Sequence, residues 1–248
     1  MLGSSTNDTN MIFLEWFFST PTPIITVLSL AVAYGAYLYQ RKWNRKQRAQ
    51  QIAEWYCKIA IPKSRYINKI LSISGNLAYA KKFHTLEHFT TEELKTNLEM
   101  SDGDEQMFIS NFEKISEKDL DNAYADSGCS KEIYEGNCCL KEAIRNSDEK
   151  KYIIFDKYIV DFLNEMEDVA LQLNCNLADE KLIYPILHQT FLKNVQRWYY
   201  FIAKENQLNH NRYYPNLIAL YLLWYKRSKR EAASYNRINT WRNRRKKI

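Results

Sequence analysis

The chain has 248 residues, of which 46% are hydrophobic and 14% aromatic, with only 6 glycines and 5 prolines. This composition excludes an intrinsically disordered chain, and the scarcity of glycine and proline argues against an all-β fold with many turns. The net charge of +6 is concentrated in two short basic clusters and leaves a mildly acidic body, so the overall charge does not by itself indicate a nucleic-acid-binding protein.

Residues 16–40 contain no charged side chain, and such a run is long enough for a helix to cross a bilayer of about 30 Å. Trp16 and Trp43 bracket the run at the depths that aromatic rings prefer. We therefore predict one transmembrane helix at residues 16–40, after a short extracytoplasmic lead-in at residues 1–15. A cleaved signal peptide carries its positive charges before the apolar run, whereas here they follow it.

A basic cluster follows the predicted span. It consists of Arg41, Lys42, Arg45, Lys46 and Arg48, with no acidic residue among them. By the positive-inside rule this cluster places the N-terminus outside and the rest of the chain in the cytoplasm. We expect the cluster to lie against anionic lipid headgroups of the bilayer. In a reducing cytoplasm the five cysteines are expected to be free thiols.

The next two segments are predicted to be helical. Residues 41–98 comprise a juxtamembrane basic helix, which Pro62 interrupts, and the first helices of a domain, because apolar side chains recur there at three- and four-residue steps. Thr90 or Thr91 is expected to cap a helix that starts near residue 89. Residues 99–150 are acidic and weakly periodic, and we interpret them as a variable segment of short helices and loops.

Residues 151–230 have the strongest apolar periodicity and are predicted to form the core helical bundle. An apolar stripe runs along the first of its helices: Ile159, Phe162, Leu163, Met166, Val169, Ala170 and Leu173. Asp179 is expected to cap a long helix that Pro185 kinks and that extends to Gln207. Its predicted inward side chains are Leu182, Ile183, Ile186, Leu187, Phe191, Val195, Trp198, Tyr199 and Ile202. A last helix is predicted from Tyr213 to Arg230.

The predicted fold class is therefore mostly α, with a single N-terminal transmembrane helix followed by a cytoplasmic antiparallel helical bundle. A basic tail at residues 231–248 completes the chain. Its candidate binding residues are Arg237, Arg242, Arg244, Arg245, Lys246 and Lys247. Three interpretations stay open for this tail: binding of anionic lipid, binding of nucleic acid through phosphate contacts and aromatic stacking, or a solvated segment without a ligand.

The sequence His84-Thr85-Leu86-Glu87-His88 fits the H-x-x-E-H pattern of inverted zinc peptidases. On a helix, His84 and His88 share a face and can bind zinc, with Glu87 as the general base. Glu165 and Glu167 are the candidates for the third ligand. The alternative is a pair of surface histidines near a helix end, because no strands or glycine-rich flanks accompany the motif.

Several segments resemble a family of uncharacterised bacterial proteins. They are DFLNEMEDVA at residues 161–170, NLADE at 176–180, LHQTF at 187–191 and WYYFI at 198–202, followed by the helix that ends in Trp224. Members of that family have one N-terminal transmembrane helix and a helical cytoplasmic domain of unknown function. The resemblance implies a protein of the bacterial inner membrane and implies no activity.

From these patterns we expect a membrane-anchored helical protein–protein interaction or scaffold module that is not catalytic and needs no cofactor. Its expected partners are the lipid bilayer and either another protein or a second copy of the chain. One alternative is a membrane-associated component of a phage- or plasmid-defence system that engages nucleic acid through the basic tail. Another is a zinc hydrolase that uses the HTLEH motif.

Overall fold

The computed structural model describes residues 21–75, 89–90, 92–93, 102–128, 140–208 and 212–245. All regular elements within these ranges are helical and none is a strand, which confirms the mostly α fold class. The described helices are α1 (Pro21–Trp55), α2 (Ile61–Ile73), α3 (Asp102–Glu113), α4 (Glu117–Ser127), α5 (Leu140–Arg145), α6 (Lys151–Asn174), α7 (Glu180–Arg197), α8 (Tyr199–Leu208) and α9 (Pro215–Arg245). The chain divides into two compact units, residues 1–47 and residues 48–248.

In the first unit, α1 exposes every side chain from Ile24 to Asn44. Its large apolar side chains are among them, including Leu30 at 65% and Val32 at 72% exposure. No helix in the described ranges is both long enough and apolar enough to cross a membrane. The lead-in predicted at residues 1–15 and the start of the span predicted at 16–40 lie outside the described residues.

The predicted interruption at Pro62 is wrong, because the chain stays helical through this position. A π-helical segment, Tyr56–Ala60, joins α1 to α2. The Ile61 N–H donates to the Tyr56 carbonyl, five residues back, which is the hydrogen-bonding pattern of a π-helix. Pro62 then falls in the first turn of α2, where the fixed φ of proline suits the helix.

The core of the second unit forms around α6, which packs against α3, α5, α8 and α9. All seven side chains of the predicted apolar stripe on α6 are buried. That prediction is confirmed because a stripe at a 3.6-residue period turns one face of a helix toward its neighbours. Asn176 takes a left-handed backbone conformation, with φ of 56°, and the loop after α6 ends with Asp179, whose side chain caps α7.

The long helix predicted from residue 180 to Gln207 is two helices. Pro185 lies inside α7 without ending it, and α7 ends at Arg197, before Trp198. Leu182 and Ile186, predicted to face inward, are 49% and 62% exposed, whereas the neighbouring Tyr184 is buried. Ile183, Leu187, Phe191 and Val195 are buried as predicted, so the inward face of α7 differs from the predicted face only in part, toward the side where Tyr184 packs on α9.

The acidic segment at residues 99–150 supplies part of the core. Phe108 and Phe112 of α3, Leu120 of α4 and Leu140 of α5 are all buried. The Ser116 hydroxyl accepts a hydrogen bond from the Asp119 N–H, and the Asp119 carboxylate accepts one from the Ser116 N–H, so a capping box starts α4. The segment thus contains the predicted short helices, and they are packed rather than peripheral.

The last helix extends further than predicted. Whereas the sequence predicts an end near Arg230, α9 continues through Arg245. The described part of the predicted tail is thus the end of a helix, and its side chains at residues 231–235 are exposed. Basic side chains in the last turns complement the negative end of the helix dipole, which favours this extension.

Candidate functional site in a cleft between two helices

A cleft of about 260 Å³ lies within the second unit, between the end of α1 and the middle of α6. Both sides contribute residues at i, i+3, i+4 and i+7 positions, the spacing of one helix face. We call it the α1–α6 cleft, and its lining residues are Arg48, Gln51, Ile52 and Trp55 on α1 and Glu165, Asp168, Val169 and Gln172 on α6. Ile52 and Val169 are buried and form its apolar part.

An ion pair adjoins the cleft. The Lys63 ammonium on α2 donates to both carboxylate oxygens of Glu165, at 2.8 and 3.1 Å. Only 6% of the Lys63 side chain is exposed, against 35% for Glu165. The ammonium also lies 5.7 Å from the centroid of the Phe162 ring. A buried ammonium needs a charge partner, so Glu165 is already used to compensate Lys63.

The second carboxylate of the cleft, Asp168, has a neutral hydrogen-bond partner, whereas Glu165 is paired with an ammonium group. Asp168 is exposed, and its Oδ2 accepts a hydrogen bond of 2.9 Å from Nε2 of Gln172. The opposite atom of that amide, Oε1, is buried and finds no donor in the described part of the chain. Exchanging the amide atoms would bring Oε1 against the carboxylate, so Asp168 fixes this orientation. The cleft therefore contains two carboxylates, of which Glu165 is paired with Lys63, one cation, Arg48, and one unsatisfied acceptor, Gln172 Oε1.

A second polar cluster joins α7 to α9. The Arg227 guanidinium stacks 3.6 Å from the Tyr184 ring centroid and donates to Glu180 at 3.2 Å and to Glu231 at 3.1 Å. The Tyr184 hydroxyl donates to Glu231 at 2.9 Å, and Trp224 Nε1 donates to Glu180 at 2.9 Å. Because its hydrogen-bonding groups satisfy one another, this cluster holds α7 against α9.

This arrangement shifts two pKa values. Burial and the hydrogen bond to Glu231 raise the pKa of Tyr184 to about 12. For Glu231, burial acts to raise the pKa, but the hydrogen bonds from Tyr184 and Arg227 outweigh it and hold the pKa of this carboxyl below its usual value. Both shifts favour a protonated phenol beside an ionised carboxylate, which is the state that the hydrogen bond requires.

The first predicted basic cluster is split by the structure. Arg41, Lys42 and Lys46 are exposed and Arg45 is half-buried, all within the first unit. Arg48 belongs to the second unit and lines the α1–α6 cleft. In the second cluster, Arg237, Arg242, Arg244 and Arg245 fall within α9, and Lys246 and Lys247 lie outside the described residues. Binding of lipid or nucleic acid by these residues stays a prediction.

The zinc hypothesis depends on residues that the structure describes only in part. His84 and His88 lie outside the described residues, and Glu165 is paired with Lys63. Within the described ranges, no group of three or more His, Cys, Asp or Glu side chains is placed to hold a metal ion. Of the five cysteines, Cys57 and Cys175 are described, and both are free and exposed.

The sequence did not single out Lys63, Gln172 or Arg227 as site residues. Lys63 follows Pro62, and its burial depends on a helix continuing through that proline. Gln172 lies outside the predicted apolar stripe of α6. Arg227 lies in the helix predicted from Tyr213 to Arg230, and no pattern in the sequence indicates that it stacks on Tyr184.

The described residues form an all-α domain whose α1–α6 cleft carries charges of both signs. No metal-binding cluster occurs among these residues. The chain belongs to the family described as domain of unknown function DUF4760, whose model matches residues 65–224. The match extends across residues 99–150, in agreement with their place in the core. Neither a curated protein nor a solved structure matches the chain.

Proposed function

We propose that the protein is a membrane-anchored interaction module: α1 attaches it to a lipid bilayer, and the helical second unit binds a partner. The observation that carries the membrane part is the uninterrupted exposure of α1 from Ile24 to Tyr39. Leaving contiguous large apolar side chains in water is unfavourable by about 25 cal/mol per Å². A bilayer removes that surface from water without any partner protein.

The proposed span is residues 16–40. The described part of α1 falls short of a crossing, so the proposal includes Trp16, Phe17 and Phe18, which lie outside the described residues. The basic residues from Arg41 onward then lie at the inner headgroups, with the N-terminus outside and the second unit in the cytoplasm. The location proposed is the inner membrane of a bacterium.

Membrane attachment is tested by expressing the full chain in a bacterial host and extracting the membranes with alkaline carbonate. A spanning helix stays in the pellet, whereas a peripheral helix is released. A double substitution, Leu30→Lys and Val32→Lys, is expected to release the protein because charges near the bilayer centre oppose insertion. Lys42→Ala is the matched control and is expected to stay membrane-bound. Release of the wild-type chain would overturn the span.

Orientation is tested separately with reporters fused after residue 248. A cytoplasmic reporter such as a fluorescent protein is expected to be active, and a reporter that requires export is expected to be inactive. The opposite result would overturn the proposed topology while leaving membrane attachment intact.

The basic end of α9 supports a second proposal, that this helix engages a polyanion. Ten basic residues and one acid lie between residues 226 and 248, and the helix places several of them on successive turns through Arg245. Vesicles with and without anionic lipid, and a short DNA duplex at low and high salt, separate a lipid surface from nucleic acid. Equal binding after replacement of Arg237, Arg242, Arg244 and Arg245 by glutamine would overturn both forms of the proposal.

A further inference from the structure

The end of α9 after Glu231 is a helix whose described side chains are exposed. The Tyr184 hydroxyl of α7 donates to Glu231, and residues 232–235, which follow it, are all exposed. Because α9 continues through Arg245, its backbone runs on for about 21 Å after Glu231. A helix with its side chains is about 10–12 Å across, which fits the major groove of B-DNA at about 12 Å.

Three asparagines recur along these turns. Asn236, Asn239 and Asn243 occupy i, i+3 and i+7 positions of α9, the spacing of one helix face, which we call the asparagine face. Asparagine is a poor helix former, so helix stability alone does not favour three of them together. The asparagine amide donates to N7 of adenine and accepts from its N6 amino group in the major groove. The asparagine face therefore has the chemistry that recognises adenine.

Arginine positions lie on both sides of the asparagine face. At the helical rotation of about 100° per residue, Arg237 and Arg244 fall about 120° to one side of its centre, and Arg242 about 90° to the other. The row of Arg237 and Arg244 continues back along the helix to Arg230 and Lys226, which are both exposed. Phosphates line both edges of the major groove, so cations on two sides of a helix suit a groove better than a flat surface.

The apolar residues of this segment do not form the face that a lipid surface requires. A helix that lies in a membrane interface has an apolar face separate from its charges. Here Tyr235, Ile238 and Trp241 lie on one side of α9, but Arg242 and Arg245 occupy the i+4 and i+7 positions from Ile238 on that same side. The pattern therefore favours a nucleic acid over a bilayer as the partner of α9.

From this arrangement we propose that the end of α9 enters the major groove of double-stranded DNA, with the asparagine face on adenine edges and the flanking arginines on the phosphates of both strands. Continuous basic helices recognise DNA in this way. Asn236 and Asn243 are about 10.5 Å apart along the axis, which spans about three base pairs. The inference rests on the proposed engagement of a polyanion by α9 and names that polyanion.

The first experiment selects a binding sequence with the full chain in detergent micelles, from short duplexes whose central base pairs are randomised. Selection is expected to enrich a motif of about three or four base pairs that contains A·T pairs. In fluorescence anisotropy, the enriched duplex is expected to bind at least about tenfold more tightly than a scrambled duplex of the same composition. The absence of any enriched motif would overturn the proposal.

Asparagine substitutions test the recognising face without changing the charge. Asn236→Ala, Asn239→Ala and Asn243→Ala are each expected to reduce the preference for the enriched duplex by about fivefold or more and to leave binding of the scrambled duplex unchanged. Alanine is the better helix former, so loss of the helix does not explain such a result. Ser234→Ala, which is exposed and lies on the opposite side of α9, is the matched control. An unchanged preference in all three asparagine variants would overturn the proposal.

A base analogue identifies the groove. 7-Deazaadenine lacks the N7 acceptor of the major groove and keeps the minor-groove edge of adenine. Placed in the enriched duplex, it is expected to remove the preference as the asparagine substitutions do. A preference that survives the analogue would overturn the placement in the major groove.

Arginine substitutions test the phosphate contacts. Arg237→Gln and Arg244→Gln are each expected to weaken binding of the enriched and scrambled duplexes equally. Each is also expected to make the slope of log K against log salt concentration less steep by about 1. A loss confined to the enriched duplex would contradict their assignment to phosphates.

The vesicle and duplex titrations of the proposed function separate its failure from the failure of this inference. Binding to anionic vesicles and to no duplex would overturn the DNA inference and leave α9 as a polyanion-binding helix. Binding to neither would overturn both.

Discussion

The Lys63 ammonium lies 2.8 Å from Oε1 and 3.1 Å from Oε2 of Glu165, although 102 residues separate the two in sequence. This ion pair links α2 to the central helix α6 at the edge of the α1–α6 cleft. The two side chains differ in burial: 6% of Lys63 is exposed and 35% of Glu165. The difference decides what happens when either partner is removed.

Removing Glu165 is expected to destabilise the protein more than removing Lys63. Glu165→Gln leaves a buried ammonium without its countercharge and is expected to lower the free energy of unfolding by about 1–3 kcal/mol. Lys63→Met keeps the side-chain volume and leaves a carboxylate that water can reach, so its cost is expected to be smaller. Urea denaturation followed by circular dichroism measures both.

The exposed pair Lys157–Glu149 is the control for this comparison, with 64% and 47% of its side chains exposed. Lys157→Met is expected to change the free energy of unfolding by less than about 0.5 kcal/mol. A larger loss for Lys63→Met than for Glu165→Gln would contradict the role assigned to burial.

Glu167 caps the start of α9 from a neighbouring helix. Its Oε1 accepts from the N–H of Asn216 at 3.0 Å, and its Oε2 accepts from the N–H of Leu217 at 2.7 Å. Glu167→Gln removes the charge at the helix N-terminus and one of these acceptors, and about 1–2 kcal/mol of stability is expected to be lost. Asp161→Asn on the same helix is the control, and equal midpoints of urea denaturation for both variants would argue against the cap.

The stacking of Arg227 on Tyr184 is expected to make lysine a poor replacement. A lysine keeps the charge but loses the planar contact and the fork that reaches Glu180 and Glu231. Arg227→Lys is therefore expected to cost about 1–2 kcal/mol of stability. Arg230→Lys, exposed on the same helix, is expected to cost nothing measurable. Thermal melts of the two variants that coincide would contradict this role.

The raised pKa of Tyr184 predicts a loss of stability in alkali. The folded state holds the phenol proton up to a pKa of about 12, whereas an unfolded tyrosine ionises near 10. The contribution of Tyr184 is thus fully present below pH 10 and is lost as the pH rises toward 12. Tyr184→Phe does not ionise, so its stability relative to wild type is expected to improve over that interval.

The measurement is urea denaturation of both proteins at several pH values between 9 and 12. Tyr235→Phe, an exposed tyrosine on α9, serves as the control and is expected to follow wild type. A constant difference between wild type and Tyr184→Phe across this range would contradict the raised pKa of Tyr184.

The sequence by itself determined the helical class and the inward face of α6. Ile159, Phe162 and Met166 repeat at the helical period, and a helix with one apolar face has one way to bury it. The capping role of Asp179 was also local, since it depends on the backbone amides that follow it. The extent of α9 beyond Arg230 was missed because a highly charged segment has no apolar period to mark it as helical.

Only the tertiary structure decided which polar groups meet. Lys63 and Glu165, or Arg227 and Tyr184, lie far apart in sequence, and no periodicity encodes the distance between two helices. The same holds for the α1–α6 cleft, where Arg48, a member of the predicted basic cluster, lines a groove with Asp168 and Gln172. Local sequence patterns determine which face each helix buries. Packing determines how the buried faces of two helices align, and this alignment brings the residues of the candidate site together.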